Sequence, residues 1–188
     1  HYGWDWGAQI TPSGIWRNIE IQSWSDAQAQ DFYVEQISLT DSIAEVIANV
    51  RLEVITAGNY QLKLNDVMFD YHLEKGLQAI EIPHQISDPV KWNPRGYGAQ
   101  NLYEFSLSVL KEGKVIDRSQ QSVGLRTVEL VTEKKSDGET FYFKINGRPI
   151  FMKGANYIPQ DHLQSQVSPQ DYRELLNDVV ASNMNMLR

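Results

Sequence analysis

The 188-residue sequence predicts a mainly β fold, an immunoglobulin-like β-sandwich with foreign pieces at both ends. Three observations carry this reading. About seven short runs of β-formers, punctuated by turn dipeptides, fill residues 26–131. The first 25 residues hold a strand-like run with no sheet of its own. After Thr132 the pattern changes to hairpin, helix and strand, the opening of a parallel α/β unit.

The sandwich strands read in order. Phe32–Leu39 is one run, and Ala44–Ile55 alternates Val46, Ala48, Val50, Leu52 and Val54 on one face. Tyr60–Leu64 and Gln78–Ile82 follow. Leu102–Leu110 turns at Glu112-Gly113 into Val115–Val123, and Gly124–Leu130 closes the region. Gly58-Asn59 and Lys75-Gly76 supply further turn signals. With no cysteine in the chain, an antibody-type disulfide is excluded.

From residue 132 onward, Glu133–Gly138 reads as a polar linker. Asn146-Gly147, between Phe141–Ile145 and Arg148–Lys153, is a strong type I′ hairpin signal. Ser168 suits a helix N-cap, with Pro169 at the first helical position and Asp171 placed to reach back. Tyr172, Leu175, Leu176 and Val179 recur at helical spacing to a stop near Ser182-Asn183, and Met184–Arg188 reads as another strand. At the other end, four of the five tryptophans (Trp4, Trp6, Trp16, Trp24) precede residue 25, and Ile15–Ile21 alternates like a strand. A strand without a sheet and a single β-α-β unit are the expected marks of a segment cut from a longer chain.

Composition narrows the function classes. A formal net charge of −7 with scattered Lys and Arg argues against nucleic acid. No apolar run approaches the roughly 20 residues a membrane helix needs. The four histidines, His1, His72, His84 and His162, share no ligand spacing, so neither a metal site nor a cofactor is expected. No glycine cluster forms a phosphate loop, and no two carboxylates pair by spacing into a catalytic set. Lack of cysteine suits cytosol and periplasm equally.

Five strings, in order, resemble glycoside hydrolase family 2 and its β-mannosidase branch. They are Tyr2-Gly3-Trp4-Asp5-Trp6-Gly7 with Ser13–Arg17, Trp92–Gly98 with Gln100 and Leu102-Tyr103, Gly124–Leu130, Phe151–Pro159, and Asn183–Arg188. The resemblance spans nearly the whole chain, although residues 26–90 carry no motif. It implies that residues 1–25 end a jelly-roll-like sugar-binding domain, 26–131 form the sandwich, and 132–188 open a (β/α)8 TIM barrel. The chain departs from the family at Tyr157, where a tryptophan is common.

The implied chemistry is retaining hydrolysis of terminal β-mannosyl residues by two glutamates from later barrel strands, so no catalytic residue is expected here. Sugar sites pair an aromatic platform with carboxylates or amides. On the resemblance, Asp5 binds hydroxyls of the terminal mannose, Trp4 forms pocket wall, and Asn156 and Tyr157 lie near the same face. In an extended chain Trp4 and Trp6 face one side and Asp5 the other. Arg188 matches an arginine at the end of the second barrel strand, where its guanidinium would support the nucleophile. The expected partner is a β-mannoside, and the truncated barrel segment is expected to self-associate. Rival readings are a stand-alone carbohydrate-binding module using Trp92 and Tyr97, or a family 2 exo-glucosaminidase or galactosidase.

Overall fold

The computed structural model describes residues 7, 9–11 and 13–188. It is mainly β and divides into two compact units: Ser23–Pro149, and a second joining His1–Gln22 to Ile150–Arg188.

The first unit is dominated by seven antiparallel strands: β1 (Ala27–Leu39), β2 (Ile43–Val54), β3 (Gly58–Leu64), β4 (Val67–Leu73), β5 (Gly76–Ser87), β6 (Tyr103–Lys111) and β7 (Lys114–Val123). They form a three-stranded sheet, β1-β2-β5, and a four-stranded sheet, β4-β3-β6-β7. The period-2 pattern explains the packing. Val46, Ala48, Val50, Leu52 and Val54 leave one face of β2 and meet Tyr60, Leu62, Leu64, Phe105, Leu107 and Val109 of the other sheet in one buried layer. Each large side chain so buried contributes about 1.5–3 kcal/mol of transfer free energy.

One sandwich strand is not among the predicted runs. Val67–Leu73 follows the turn at Asn65-Asp66 and pairs with β3 from Gly58↔Leu73 to Leu64↔Val67. Inward-facing Phe69 and Tyr71 are partly buried and Leu73 is buried, while Val67 and Met68 are exposed, so the apolar alternation is diluted. Gly124–Leu130, expected to close the sandwich, instead contributes β8 (Val128–Val131) to a separate sheet. The predicted linker holds a tiny hairpin, β9 (Lys134–Lys135) with β10 (Gly138–Glu139). The predicted Asn146-Gly147 hairpin forms between β11 (Tyr142–Ile145) and β12 (Arg148–Ile150), with φ of 52° and 75° at the two turn residues. β11 then pairs with β8.

Side chains stitch the sandwich along its open edge. β1 has register irregularities after Ala29 and Gln36. The Ala29 N–H donates to Asp117 Oδ2 at 2.7 Å and the Val34 N–H to Gln121 Oε1 at 2.6 Å, so β7 side chains occupy edge donors of β1. At one end, Lys111 Nζ bonds Asp26 Oδ1 at 2.6 Å and lies 5.1 Å from the centre of the Tyr60 ring. The Tyr60 hydroxyl donates to the Thr56 carbonyl, and the Asp26 carbonyl accepts from Ile55. The first residue of the sandwich is thereby tied to the β2–β3 turn.

The second unit contains β13 (Gly154–Ala155), α1 (Pro169–Ala181) and β14 (Met186–Leu187). β13 and β14 are parallel, with Gly154↔Met186 and Ala155↔Leu187 paired. The helix begins as the sequence predicts. Ser168 Oγ accepts from the Asp171 N–H, and Asp171 Oδ2 accepts from the Ser168 N–H at 2.7 Å, a complete capping box. Asn183, at φ 56°, ends the helix in the left-handed region. The alternating run Ile15–Ile21 forms no ladder, and Ile15, Ile19 and Ile21 stay exposed, because no described strand pairs with it. Among the described residues, no helix is long and apolar enough to cross a membrane.

The Asp26–Lys111 bond predicts a pH dependence with a defined sign. The hydrogen bond from Lys111 holds the Asp26 carboxyl below its ordinary 3.8, and the same bond raises Lys111 above its ordinary 10.5. The pair therefore contributes fully between those two values. Its contribution is lost as pH falls through the lowered carboxyl value, and again as pH rises through the raised amine value. Asp26→Asn should lower stability at neutral pH and lose less of what remains between about pH 4 and pH 2 than wild type does. Urea midpoints across that range check this; parallel wild-type and variant curves would contradict it.

Candidate functional site

The geometry of the second unit follows from strand direction. Because β13 and β14 run parallel, the residues that follow each of them emerge at the same end. Asn156 and Tyr157 follow β13, and Arg188 follows β14. The Arg188 N–H donates to the Ala155 carbonyl at 3.1 Å, and the Tyr157 N–H donates to the Arg188 carbonyl at 2.7 Å. Arg188 Nη1 then donates to Asn156 Oδ1 at 3.2 Å. Three sequence-predicted site residues are thus gathered on one rim, with Asn156 and Arg188 exposed and Tyr157 half-buried.

Two features hold this rim in register. At Gly154 a β-carbon would fall inside the carbonyl of Met186, so only glycine permits the approach of the two strands. Asn185 clamps the chain entering β13. Its Oδ1 accepts from the Lys153 N–H at 2.9 Å, its Nδ2 donates to the Phe151 carbonyl at 3.1 Å, and its own N–H donates to the Lys153 carbonyl. Asn185 is not among the predicted site residues. Its only sequence signal is a polar side chain inside an otherwise apolar run, Met184–Leu187.

Tyr157 faces the helix. Desolvation first, and a hydrogen bond with the Tyr172 hydroxyl second, push its phenol above the ordinary value, so Tyr157 is a neutral donor and acceptor at physiological pH. Asp161 serves its own loop: Oδ1 accepts from the Leu163 N–H and its carbonyl accepts from Gln164 Nε2, both at 2.7 Å, just before a 3-10 turn at Gln164–Gln166. Among the described residues no three His, Asp or Glu side chains converge to hold a metal. Trp4 and Asp5 lie outside the described residues.

In the other unit, the Trp92–Gly98 string forms a tight corner. Asn93 donates to the Ala99 carbonyl, Tyr97 to that of Pro94, and Trp92 to that of Leu125. The Trp92 ring carries the Arg126 guanidinium at 4.8 Å, and the Tyr97 ring carries that of Arg148 at 4.9 Å. Asn146 joins the corner to the hairpin. Its Nδ2 donates to the Trp92 carbonyl and to Asn93 Oδ1, and its Oδ1 accepts from the Thr127 N–H. Both aromatic rings and the corner's polar groups are engaged in holding the sandwich to β8 and the hairpin.

Comparison with known proteins places these features. The model of glycosyl hydrolases family 2 matches residues 19–126. Beta-mannosidase B of Aspergillus niger is 32% identical over 100% of this chain and 23% of its own length. The solved beta-D-mannosidase of Dictyoglomus thermophilum is 35% identical, with a TM-score of 0.91, over 100% of this chain and 24% of that one. The exo-chitosanase of Amycolatopsis orientalis shares the fold at 19% identity and a TM-score of 0.71, over 86% of this chain. The chain therefore spans about a quarter of the length of the mannosidases it matches.

Replacing Asn185 with alanine should loosen the rim, because two side-chain hydrogen bonds to the chain entering β13 disappear. Partly exposed bonds of this kind contribute about 1 kcal/mol. Hydrogen exchange at the Tyr157 and Arg188 amides should accelerate several-fold, while amides in β2 and β6 keep wild-type protection. Unchanged exchange at Tyr157 would show that the clamp is dispensable.

Proposed function

From the premise that the chain belongs to glycosyl hydrolases family 2, we propose that it is part of a retaining β-mannosidase acting on terminal, non-reducing β-mannosyl residues. The supporting observation is the breadth of the mannosidase likeness: two mannosidases match all of this chain at 32% and 35% identity. The exo-chitosanase matches less of it, at 19%. In this reading residues 1–25 end a sugar-binding jelly-roll-like domain, 26–131 are the sandwich, and 132–188 open the (β/α)8 barrel.

The residues divide the work as follows. Asp5 accepts hydrogen bonds from mannose hydroxyls, and Trp4 offers an apolar wall to the C–H face of the ring. Asn156 and Tyr157 supply neutral donors and acceptors at the barrel mouth. Arg188, held by Asn156, presents a fixed positive charge at the C-terminal end of a barrel strand, where such active sites form. That charge keeps a nucleophilic carboxylate ionised and oriented. The nucleophile and the acid/base are glutamates outside these 188 residues. Retention requires them about 5–5.5 Å apart, with a covalent glycosyl-enzyme intermediate between two displacements.

The engaged Trp92 and Tyr97 rings favour this reading over a sandwich that binds glycans by itself. The exposed stripe of Tyr172, Leu176 and Val180 on α1 suits a helix that packs in a larger barrel, and in isolation it favours self-association of residues 132–188.

Incubation of the isolated 188 residues with a chromogenic β-mannoside should release no product. The full-length enzyme carrying them should hydrolyse the β-mannoside with retention and prefer it to β-glucosaminide and β-galactoside. In that enzyme Arg188→Ala should lower kcat by about 100-fold or more, the scale of losing an electrostatic support in the transition state. Preference for another sugar would reassign the substrate, and turnover by the isolated chain would contradict the division of labour.

A further inference from the structure

Lys134-Lys135 is the only place in the sequence where two basic residues adjoin, and the fold sets the pair on the small β9–β10 hairpin. All of residues 132–139 are exposed. The two strands pair only with each other, through Gly138↔Lys135 and Glu139↔Lys134. Two further bonds close the neck: the Thr140 N–H donates to the Glu133 carbonyl and the Glu133 N–H to Thr140 Oγ1, both at 2.9 Å. Opening the hairpin therefore breaks a handful of exposed bonds and uncovers no core, the profile of a low-energy local unfolding. Below the neck the chain is locked, because Val131 is buried and pairs with Tyr142 in the β8–β11 ladder.

The other lysines are held differently. Lys91, Lys111 and Lys144 are ion-paired with Asp41, Asp26 and Glu129. Lys63 lies in β3 between buried Leu62 and Leu64 and pairs with Asp66. Lys75 follows buried Leu73 by two residues, and Lys114 faces Lys111 in the β6–β7 ladder. The Lys153 carbonyl accepts from the Asn185 and Met186 N–H groups. Lys134 and Lys135 make no ion pair with a described residue, so their ammonium groups are free to be taken elsewhere.

We propose that the Lys135–Ser136 bond is a processing site for a serine endoprotease whose specificity pocket accepts lysine. Such an enzyme binds the substrate chain extended on both sides of the cut, with a carboxylate at the base of the pocket taking the ammonium. Lys135 is the last strand residue before the Ser136-Asp137 turn, and opening to the neck frees chain on both sides of it. Hydrolysis adds one water across the amide, leaving a carboxylate on Lys135 and an ammonium on Ser136. The cut is bridged by the four β8–β11 pairs from Val131↔Tyr142 to Val128↔Ile145, so the two pieces stay together as one folded, two-chain protein.

The test is brief digestion of the full-length enzyme, under native conditions, with a lysine-specific serine endopeptidase. That probe passes by Arg17, which lies in another exposed run. The first new amino terminus should be Ser136. Denaturing electrophoresis should show two fragments, while size exclusion shows a single species at the volume of the intact enzyme. Lys134→Gln with Lys135→Gln should abolish this cut. Thr140→Val removes the side-chain acceptor of the neck and should speed it about fivefold, the effect of one lost hydrogen bond on the open population. A first cut at any other lysine, resistance of the hairpin, an unchanged rate in Thr140→Val, or separation of the fragments without denaturant would each overturn the proposal.

Discussion

The missing side chain at Gly154 is the constraint on which the candidate site depends. Two short parallel strands have few hydrogen bonds with which to fix their spacing, and a single methyl at that point would force the Met186 carbonyl away. With the gap closed, the ladder continues past the strand ends through the Ala155 and Arg188 carbonyls. Asn156, Tyr157 and Arg188 are then neighbours by backbone geometry before any side chain interacts. The Arg188–Asn156 bond adds direction to a placement the strands have already made.

The sandwich rests on a different kind of physics. Its apolar layer is continuous across both sheets, and its strands are long, so it gains cohesion from burial. Polar contacts govern its borders: Asp117 and Gln121 cover the β1 edge, and Lys111 with Asp26 ties one end. The β-α-β unit has the opposite balance, with no buried residue in α1 and its order carried by caps and clamps. One unit is thus held by its own apolar core and the other by local polar bonds.

Legibility in the sequence followed the range of the interactions involved. The capping box at Ser168–Asp171 and the Asn146-Gly147 hairpin are local, and both stand as the residues imply. The β2 core face was legible because five apolar residues repeat at strand period. β4 was not, since its alternation is diluted by exposed Val67 and Met68. Ile15–Ile21 shows the converse: alternation makes a chain competent to pair, and pairing still needs a neighbour. The clamp by Asn185 joins residues far apart in sequence, and only a polar break in an apolar run hints at it. Trp4 and Asp5 were singled out by likeness alone, and lie outside the described residues.

The Asn146 turn also bears on how the protein ages. An asparagine followed by glycine is the pairing most open to succinimide formation, because the next backbone nitrogen can attack an unhindered side-chain amide. Here the amide nitrogen is held by the Trp92 carbonyl and by Asn93, and the amide oxygen by the Thr127 N–H. Cyclisation expels the amide nitrogen as ammonia and so breaks both of its bonds, which ties chemical decay at this turn to loosening of the corner. Once it occurs, the resulting aspartate or isoaspartate sets a carboxylate against two acceptor oxygens, and the corner, β8 and the hairpin lose their common tie together. The same side chain that organises this junction is the clock on its lifetime.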